Sequence, residues 1–172
     1  MNKFVIMIKN NLLTLSVIFL MLIARIFVFP VYSIDGASMD YTLQHNEKVM
    51  GIKMFDVERF DIVIVQVPEA NKRYVKRVIG LPGDKIEYKN DQLFINGEFI
   101  EEAFLSEKKK EWDLFTDDFT VEKVPNGEYF IMGDNRRNSI DSRHIGTVSR
   151  NQVISKVILI YWPLDKIKIL NE

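Results

Sequence analysis

The apolar residues divide the chain into two unequal parts. Residues 12–24 (LLTLSVIFLMLIA) carry no charge, and after Arg25 the apolar run continues to Ile34. As a helix, the 23 residues from Leu12 to Ile34 would reach about 34 Å, which is enough to cross a hydrocarbon core of about 30 Å. A helix break near Pro30 makes this length an upper limit. The pattern predicts one transmembrane helix at the N-terminus.

The charges on either side of this run indicate its orientation. Lys3 and Lys9 precede it, and the first acidic residue of the chain is Asp35. The positive-inside rule then predicts a cytoplasmic N-terminus and an extracytoplasmic remainder. A cleaved signal peptide and a buried core helix are the alternatives, although the length of the run and the lack of an A-x-A pattern disfavour cleavage. We therefore predict a cytoplasmic N-terminus and anchor over residues 1–34, and a β-rich domain over residues 35–172.

Beyond residue 47 the chain alternates short apolar segments with turn residues. The β-branched and aromatic content of these segments is typical of strands, and Asn96-Gly97 is a strong hairpin signal. The predicted strands are Lys48–Met54, Asp61–Val67, Tyr74–Ile79, Lys85–Tyr88, Leu93–Ile95, Glu98–Ile100, Phe119–Val124, Glu128–Met132 and Val153–Trp162. Residues 101–118 are charged and aperiodic, which predicts a solvated surface loop, with a docking patch as the alternative. The predicted fold class is mostly β, a compact coiled β-sheet or barrel-like domain on one transmembrane helix.

Composition narrows the chemistry that is open to this domain. The chain of 172 residues has a formal net charge of -1, no cysteine and two histidines. The lack of cysteine excludes disulfides and Cys nucleophiles. Two histidines disfavour a multi-His metal site. The near-neutral charge gives no reason to expect nucleic acid as a partner.

One predicted strand, Tyr74-Val-Lys-Arg-Val-Ile79, places a cation between apolar neighbours on each of its faces. Side chains alternate across a strand, so Lys76 and Arg77 point in opposite directions. In one interpretation this is an edge strand whose two cationic heads reach solvent. In the other, Lys76 is buried. Burial lowers the pKa of a lysine, and the neutral amine can take a proton from a serine hydroxyl.

A candidate serine follows the apolar run directly, in the stretch Gly36-Ala-Ser-Met39. A lone serine in a loop is usually a solvated hydroxyl, and that interpretation of Ser38 stays open. The small residues before it would, however, let a substrate carbonyl approach the backbone closely. Their amides would then form an oxyanion hole.

A third polar segment, residues 133–146 (GDNRRNSIDSRHIG), lies between two predicted strands. It is either a surface turn rich in Asx-type hydrogen bonds or an internally bonded loop. In the second case Asp141 and Arg143 would pair bidentately. Ser139 would then orient the Lys76 amine.

Three motifs in order after one N-terminal span carry a resemblance to a known family. GASMDYTL, YVKRVIGLPGD and GDNRRNSIDSR resemble the conserved boxes of type I signal peptidases, in their Gram-positive bacterial branch. The resemblance implies a membrane-bound Ser-Lys protease that removes signal peptides from exported preproteins and needs no metal or cofactor. It implies preprotein signal peptides and membrane lipid as partners. It also implies a single-pass location in the bacterial plasma membrane.

The resemblance assigns roles to particular residues. By it, Ser38 is the nucleophile and Lys76 the general base, and Gly36 with the Ser38 amide lines the oxyanion hole. Three residues support the dyad and its loop: Ser139, Asp141 and Arg143. Five residues would line shallow pockets for small residues at the -1 and -3 substrate positions: Tyr32, Ile34, Met39, Leu43 and Val75. Such pockets reject bulk by steric clash.

Two residues depart from the family pattern and keep alternatives open. Tyr41 stands where the family mostly has Pro, so it does not fix φ in the turn after the nucleophile. Arg137 stands where many members have Asp or another residue. A catalytically weak or silent paralogue that acts as a membrane-tethered assembly factor is therefore the alternative function. A Ser-Lys protease that cleaves itself or a regulator would need a DNA-binding helix pair where the span lies.

Overall fold

The computed structural model describes residues 3–67 and 72–170, with side chains from residue 11 onward. Its first element is helix α1, Lys3–Phe27. The predicted orientation depends on Lys3 and Lys9, whose side chains lie outside the described residues. In the part of the chain that the structure describes, no helix is both long and apolar enough to cross a membrane.

The helix ends earlier than the apolar run from Leu12 to Ile34. The amides of Val28 and Phe29 both donate to the Ala24 carbonyl, and Pro30 then prevents helical continuation because it has no N–H and disfavours the helical conformation before it. Val31–Ser33 forms a strand instead. The last residues of the predicted anchor therefore belong to the folded β domain.

Twelve strands follow in the described residues, all paired antiparallel. They are β1 (Val31–Ser33), β2 (Lys48–Ile52), β3 (Ile62–Val67), β4 (Lys72–Gly80), β5 (Ile86–Lys89), β6 (Gln92–Ile95), β7 (Glu98–Ile100), β8 (Phe119–Val121), β9 (Glu128–Met132), β10 (Val148–Ser149), β11 (Val153–Trp162) and β12 (Lys168–Ile169). One sheet has the order β1-β2-β11-β3-β4-β9-β10, with β12 also paired to β11, and the other has the order β7-β6-β5-β8. The mostly-β prediction is confirmed, with the strands divided between two sheets.

Strand β4 lies inside the larger sheet, between β3 and β9. Lys76 is opposite Val63 of β3, and Arg77 is opposite Met132 of β9. The edge-strand interpretation of this segment is therefore wrong. Both cations are buried, at 2% exposure for Lys76 and 0% for Arg77. Burying two charges in one strand is costly unless each finds a partner or loses its proton.

The prediction of a solvated loop over residues 101–118 holds only in part, because most of the segment is exposed but it has short helical turns and a few buried residues. The segment contains a 3-10 turn, Ala103–Leu105, and a one-turn helix α2, Ser106–Lys109. Leu105 and Phe115 are fully buried. The burial of these two apolar side chains, at about 1.5–3 kcal/mol each, contributes to holding the charged segment on the domain.

Candidate active site

Ser38 lies on a loop whose two ends are joined. The Ile34 amide donates to the Glu47 carbonyl at 2.9 Å, which closes the loop at its base. Within it, Met39 and Leu43 are buried in the core and hold the turn down. This apolar attachment leaves the small residues before Ser38 at the surface, with the hydroxyl half-buried.

Lys76 reaches this loop from the middle of β4. Its Nζ lies 2.6 Å from Ser38 Oγ, within hydrogen-bond distance. Burial, with a smaller contribution from the charge of Arg143, lowers the pKa of Lys76 to about 8 against the opposing charges of Asp141 and Asp134. A substantial neutral fraction near pH 8 can therefore accept the Ser38 proton.

On the other face of β4, Arg77 forms a buried ion pair that the sequence analysis did not predict. Its Nε and Nη2 donate to the two carboxylate oxygens of Asp134 at 2.9 and 2.8 Å, and its Nη1 donates to the Phe60 carbonyl at 2.9 Å. Thr42 Oγ1 also donates to Asp134 at 2.5 Å. The pair ties β4, the nucleophile loop and residues 133–146 together, so it fixes the relative positions of Ser38 and Lys76.

The segment after β9 packs directly on the nucleophile turn. The Asn135 amide donates to the Ser38 carbonyl at 3.0 Å, and its side-chain Nδ2 donates to the Ala37 carbonyl at 3.1 Å. A Cβ added at Gly133 would lie 2.4 Å from the Ser38 carbonyl oxygen. Only glycine allows this close approach of two backbones.

Asp141 and Arg143 make the bidentate pair that the sequence suggested. Arg143 Nε and Nη2 each donate to the Asp141 carboxylate at 2.8 Å. The carboxylate also accepts from the Gly133 amide at 3.0 Å and caps helix α3, Ser142–Ile145. Burial alone would raise the pKa of Asp141, but the hydrogen bonds and charge of Arg143 hold it below its usual value. The loop is thus internally bonded.

Ser139 is enclosed beside this pair without a direct bond to the lysine. Its Oγ is buried and has no hydrogen-bond partner among the described residues. It lies close enough to Asp141 to contribute to the lowered pKa of that carboxyl, and next to Gly133. Support of Lys76 by Ser139 therefore stays a prediction.

Of the two amides that the sequence assigns to the oxyanion hole, one already donates a hydrogen bond within the protein and the other does not. The Gly36 amide donates to His45 Nδ1 at 3.2 Å, and that nitrogen lies 3.5 Å from the Asp35 carboxylate. The Ser38 amide donates no hydrogen bond within the described residues. Among the described residues, the Gly36 amide is therefore already paired, with His45, a residue that the sequence did not single out for this place. The assignment of the two amides to an oxyanion hole stays a prediction.

A cleft of about 330 Å³ opens beside Ser38. Four of the five predicted pocket residues line it: Tyr32, Ile34, Met39 and Val75. Leu43 lies instead in the core, fully buried. Asp35 and Arg73 add charges to the lining, so the cleft is less uniformly apolar than the sequence predicts.

A second buried network, also missing from the sequence analysis, joins the polar loop to the smaller sheet. Arg136 Nη2 donates to Glu102 at 2.5 Å and Nη1 donates to the Tyr88 hydroxyl at 2.6 Å. Burial would raise the pKa of Glu102, but the charges of Arg136 and Lys109 lower it below its usual value. Glu102 therefore remains a carboxylate that compensates the buried guanidinium.

Comparisons with known proteins show the family to which the chain belongs. Residues 7–162 match the family described as signal peptidase, peptidase S26. The chain is 42% identical over 162 residues to signal peptidase I S of Bacillus subtilis, covering 88% of this chain and 87% of that protein. It is 38% identical over 172 residues to signal peptidase IB of Staphylococcus aureus, with coverage of 91% and 89%.

Among solved structures, a signal peptidase I from Enterococcus faecalis V583 is similar to this chain. The TM-score is 0.58 at 38% sequence identity, and the match covers 60% of this chain and 97% of that chain. The family match spans most of the chain and includes all three motifs. The resemblance drawn from those motifs is confirmed, and the chain belongs to the signal peptidase family, peptidase S26.

Proposed function

We propose that this chain removes signal peptides from exported preproteins by Ser-Lys acyl-enzyme catalysis. The observation that carries the proposal is the 2.6 Å contact between Ser38 Oγ and Lys76 Nζ, made by a buried lysine whose pKa is lowered to about 8. Family membership supports the serine peptidase chemistry and the class of substrate.

The proposed reaction uses one amine twice. Neutral Lys76 accepts the Ser38 proton as Oγ attacks the carbonyl carbon of the -1 residue. The oxyanion accepts hydrogen bonds from the Ser38 amide, and from the Gly36 amide once that group leaves His45. The Lys76 ammonium then protonates the leaving amine. A water that gives a proton to the same amine hydrolyses the acyl-enzyme.

Substrate binding in an extended conformation is supported by two unpaired strand edges at the cleft. Among the described residues, strand β1 pairs only with β2, and β9 pairs with β4 only from Arg77 to Gly80. The segment Arg73–Val75, which lines the cleft, is therefore paired on one side only. Free backbone edges bind extended peptides, with pockets for alternate side chains. This geometry fits recognition of small residues at -1 and -3.

Membrane anchoring through α1 is the second part of the proposal. Leu13, Phe19 and Met21 are 66%, 62% and 65% exposed, and they point in different directions around the helix. A helix that exposes apolar side chains on all sides is suited to lipid rather than water. We propose the N-terminus and α1, Lys3–Phe27, as the cytoplasmic segment and anchor. The β domain, which begins with β1 at Val31 rather than at residue 35, is proposed as the extracytoplasmic peptidase domain at the bacterial plasma membrane.

The test is cleavage of a preprotein by the full chain reconstituted in lipid vesicles. Ser38→Ala and Lys76→Ala should each lower the cleavage rate by at least about 10³-fold. Ser106→Ala and Lys89→Ala, at exposed positions, should leave it unchanged. Cleavage by the Lys76→Ala protein at the wild-type rate would exclude the Ser-Lys mechanism. A folded wild type that is inert on several precursors would favour the assembly-factor alternative.

A further inference from the structure

A second cavity, of about 590 Å³, lies beside the substrate cleft and shares Val31, Tyr32 and Arg73 with it. Besides Arg73, its lining contains two more cations, Lys53 and Arg150, and no acidic residue. The cavity is therefore a separate space with a positive lining, which the peptidase reaction does not use.

The described residues supply no acidic counter-charge to the three cations. Among the described residues, no carboxylate lies within ion-pair distance of Lys53, Arg73 or Arg150, although the same domain has many other ion pairs. Lys53 and Arg73 are exposed. An uncompensated cluster of this kind raises the local concentration of anions.

Arg150 is held in place by the protein, unlike the two exposed cations. Its Nη1 donates to the Val153 carbonyl at 2.9 Å, and its Nη2 donates to the Phe55 carbonyl at 3.0 Å. The guanidinium also lies 5.0 Å from the centre of the Phe55 ring. Arg73 is held less firmly, since only its Nε donates to a described side chain, Gln66 Oε1 at 3.3 Å. The cavity thus has one firmly held cation, Arg150, and two exposed cations.

The cavity opens where the helix joins the sheet. The Lys53 amide donates to the Val28 carbonyl at 3.1 Å, and the Gly51 amide donates to the Pro30 carbonyl at 2.8 Å. Pro30 itself lines the cavity. Met54, next to Lys53, is 76% exposed. If α1 lies in a membrane, the apolar side chains of α1 and Met54 would contact lipid. The cations of the cavity lie next to them, at the level of the lipid headgroups.

We propose that this cavity binds the phosphate of an anionic phospholipid headgroup. The inference rests on the proposed membrane anchoring, because that anchoring brings the cavity to the bilayer surface. Each Lys or Arg near an anionic leaflet attracts lipid, and guanidinium groups bind phosphate oxygens through charge-assisted hydrogen bonds. The bound lipid would hold the β domain against the membrane, with the adjoining cleft beside membrane-inserted precursors. An acidic segment of a substrate is the competing occupant, and the position at the helix end favours lipid.

The test measures lipid retention separately from catalysis. Full-length Ser38→Ala protein, which cannot cleave, is taken from mixed micelles of phosphatidylglycerol and phosphatidylcholine, and the retained lipids are counted by native mass spectrometry. We expect a preference for phosphatidylglycerol that Lys53→Gln and Arg73→Gln each reduce by about fivefold. Lys89→Gln, an exposed lysine on β5, is the matched control and should keep the full preference. Inorganic phosphate added at millimolar concentration should not abolish it.

Three results would overturn the proposal. They are equal retention of both lipids, an unchanged preference in the Lys53→Gln/Arg73→Gln double variant, and full displacement of the lipid by inorganic phosphate. The same double substitution is also made in protein that retains Ser38, so that cleavage can be measured. If the lipid preference is unchanged and only precursors with acidic residues before the cleavage site are cleaved poorly, the cavity binds substrate rather than lipid. The cleavage assay tests the peptidase proposal, and membrane partitioning tests the anchoring proposal. Lipid selectivity is measured separately by mass spectrometry, so the failure of one proposal is distinguishable from the failure of another.

Discussion

At the scale of single residues, the proposed mechanism requires Lys76 to lose its proton before it can act as a base. Its side chain is 2% exposed, and the cost of burying the ammonium lowers its pKa from 10.5 to about 8. Asp141 and Asp134 limit this shift. The residue is therefore largely charged at pH 7 and largely neutral above pH 8, so the same burial that makes it a base also makes its activity depend on pH.

We predict that kcat/KM for a short soluble peptide substrate rises about tenfold per pH unit below pH 8 and levels off above it. The sign follows from the role of Lys76, because a general base acts only in its deprotonated form. A pH series from 6 to 10 with the wild type and the Lys89→Gln control should give the same midpoint. A kcat/KM that still rises about tenfold per unit between pH 9 and 10, as the ordinary lysine pKa of 10.5 would require, would contradict the lowered pKa of Lys76.

Tyr41 has a backbone conformation that proline cannot adopt. Its φ is 85°, whereas proline is fixed near about -65°. The ring packs under Lys108, whose Nζ lies 3.7 Å from its centre. The hydroxyl accepts a hydrogen bond from Lys108 and donates to Glu111 at 3.2 Å. The departure from the family's usual Pro is therefore matched by contacts with helix α2.

We predict that Tyr41→Pro, although it restores the usual family residue, slows preprotein cleavage. It forces the turn after Ser38 out of its conformation, at a cost of about 1–3 kcal/mol. Tyr41→Phe keeps the ring and should stay near the wild-type rate, while Tyr41→Gly keeps the backbone freedom and should be faster than Tyr41→Pro. Cleavage rates per folded protein decide the order. A Tyr41→Pro enzyme as fast as the wild type would mean that this turn tolerates a negative φ.

At the scale of elements, the active site depends on the contact between the nucleophile loop and the segment after β9. The Asn135 amide and side chain hold the carbonyls of Ser38 and Ala37. Gly133 permits the contact, because a Cβ there would overlap the Ser38 carbonyl oxygen. Because the two backbones are in direct contact, a small displacement of the segment after β9 also displaces the loop that carries Ser38.

We predict that Gly133→Ala lowers kcat by about 10²-fold, because displacement of Ser38 by a few tenths of an ångström breaks its alignment with Lys76. Gly127→Ala is the matched control in the turn before β9. A Cβ there meets no atom within 4 Å, but φ is 76°, so stability should fall by about 1 kcal/mol without loss of cleavage per folded molecule. Thermal unfolding and single-turnover cleavage separate the two effects. Equal kcat values for both variants would argue against the contact.

At the scale of the whole molecule, helix and active site are joined by very little chain. The helix ends at Phe27, and β1 begins at Val31 and pairs with β2, so the link to the Ser38 loop is short and structured. If α1 lies in the membrane, enzyme and membrane-inserted precursor meet in one plane, which raises their effective concentration.

We predict that a flexible Gly-Ser segment inserted after Phe27 reduces cleavage of membrane-inserted precursors by at least about tenfold and leaves cleavage of a short soluble peptide unchanged. An insertion after Ile34 is not an equivalent test, because the Ile34 amide pairs with Glu47 at the base of the Ser38 loop and the insertion would disturb the site itself. Unchanged cleavage of both substrates would show that the short link does not position the enzyme.

Much of this protein is determined by local sequence. Strand periodicity and turn residues predict the mostly-β class, since alternation and turn chemistry are properties of neighbouring residues. A lysine inside an apolar strand is a local conflict of the kind that marks functional sites, and together with the Gly36-Ala-Ser segment it indicates the candidate dyad. The resemblance of the three motifs supplied the family.

The tertiary structure alone decided which distant groups meet. Arg77 pairs with Asp134 across 57 residues, and Arg136 pairs with Glu102 across 34. Arginines and carboxylates are common, and composition does not specify which of them share a buried space. The same holds for the burial of Leu105 and Phe115 within the mostly exposed segment 101–118. The hydrophobic periodicity of a segment indicates only which of its faces is buried. The partner of a buried charge depends on the packing of the whole domain.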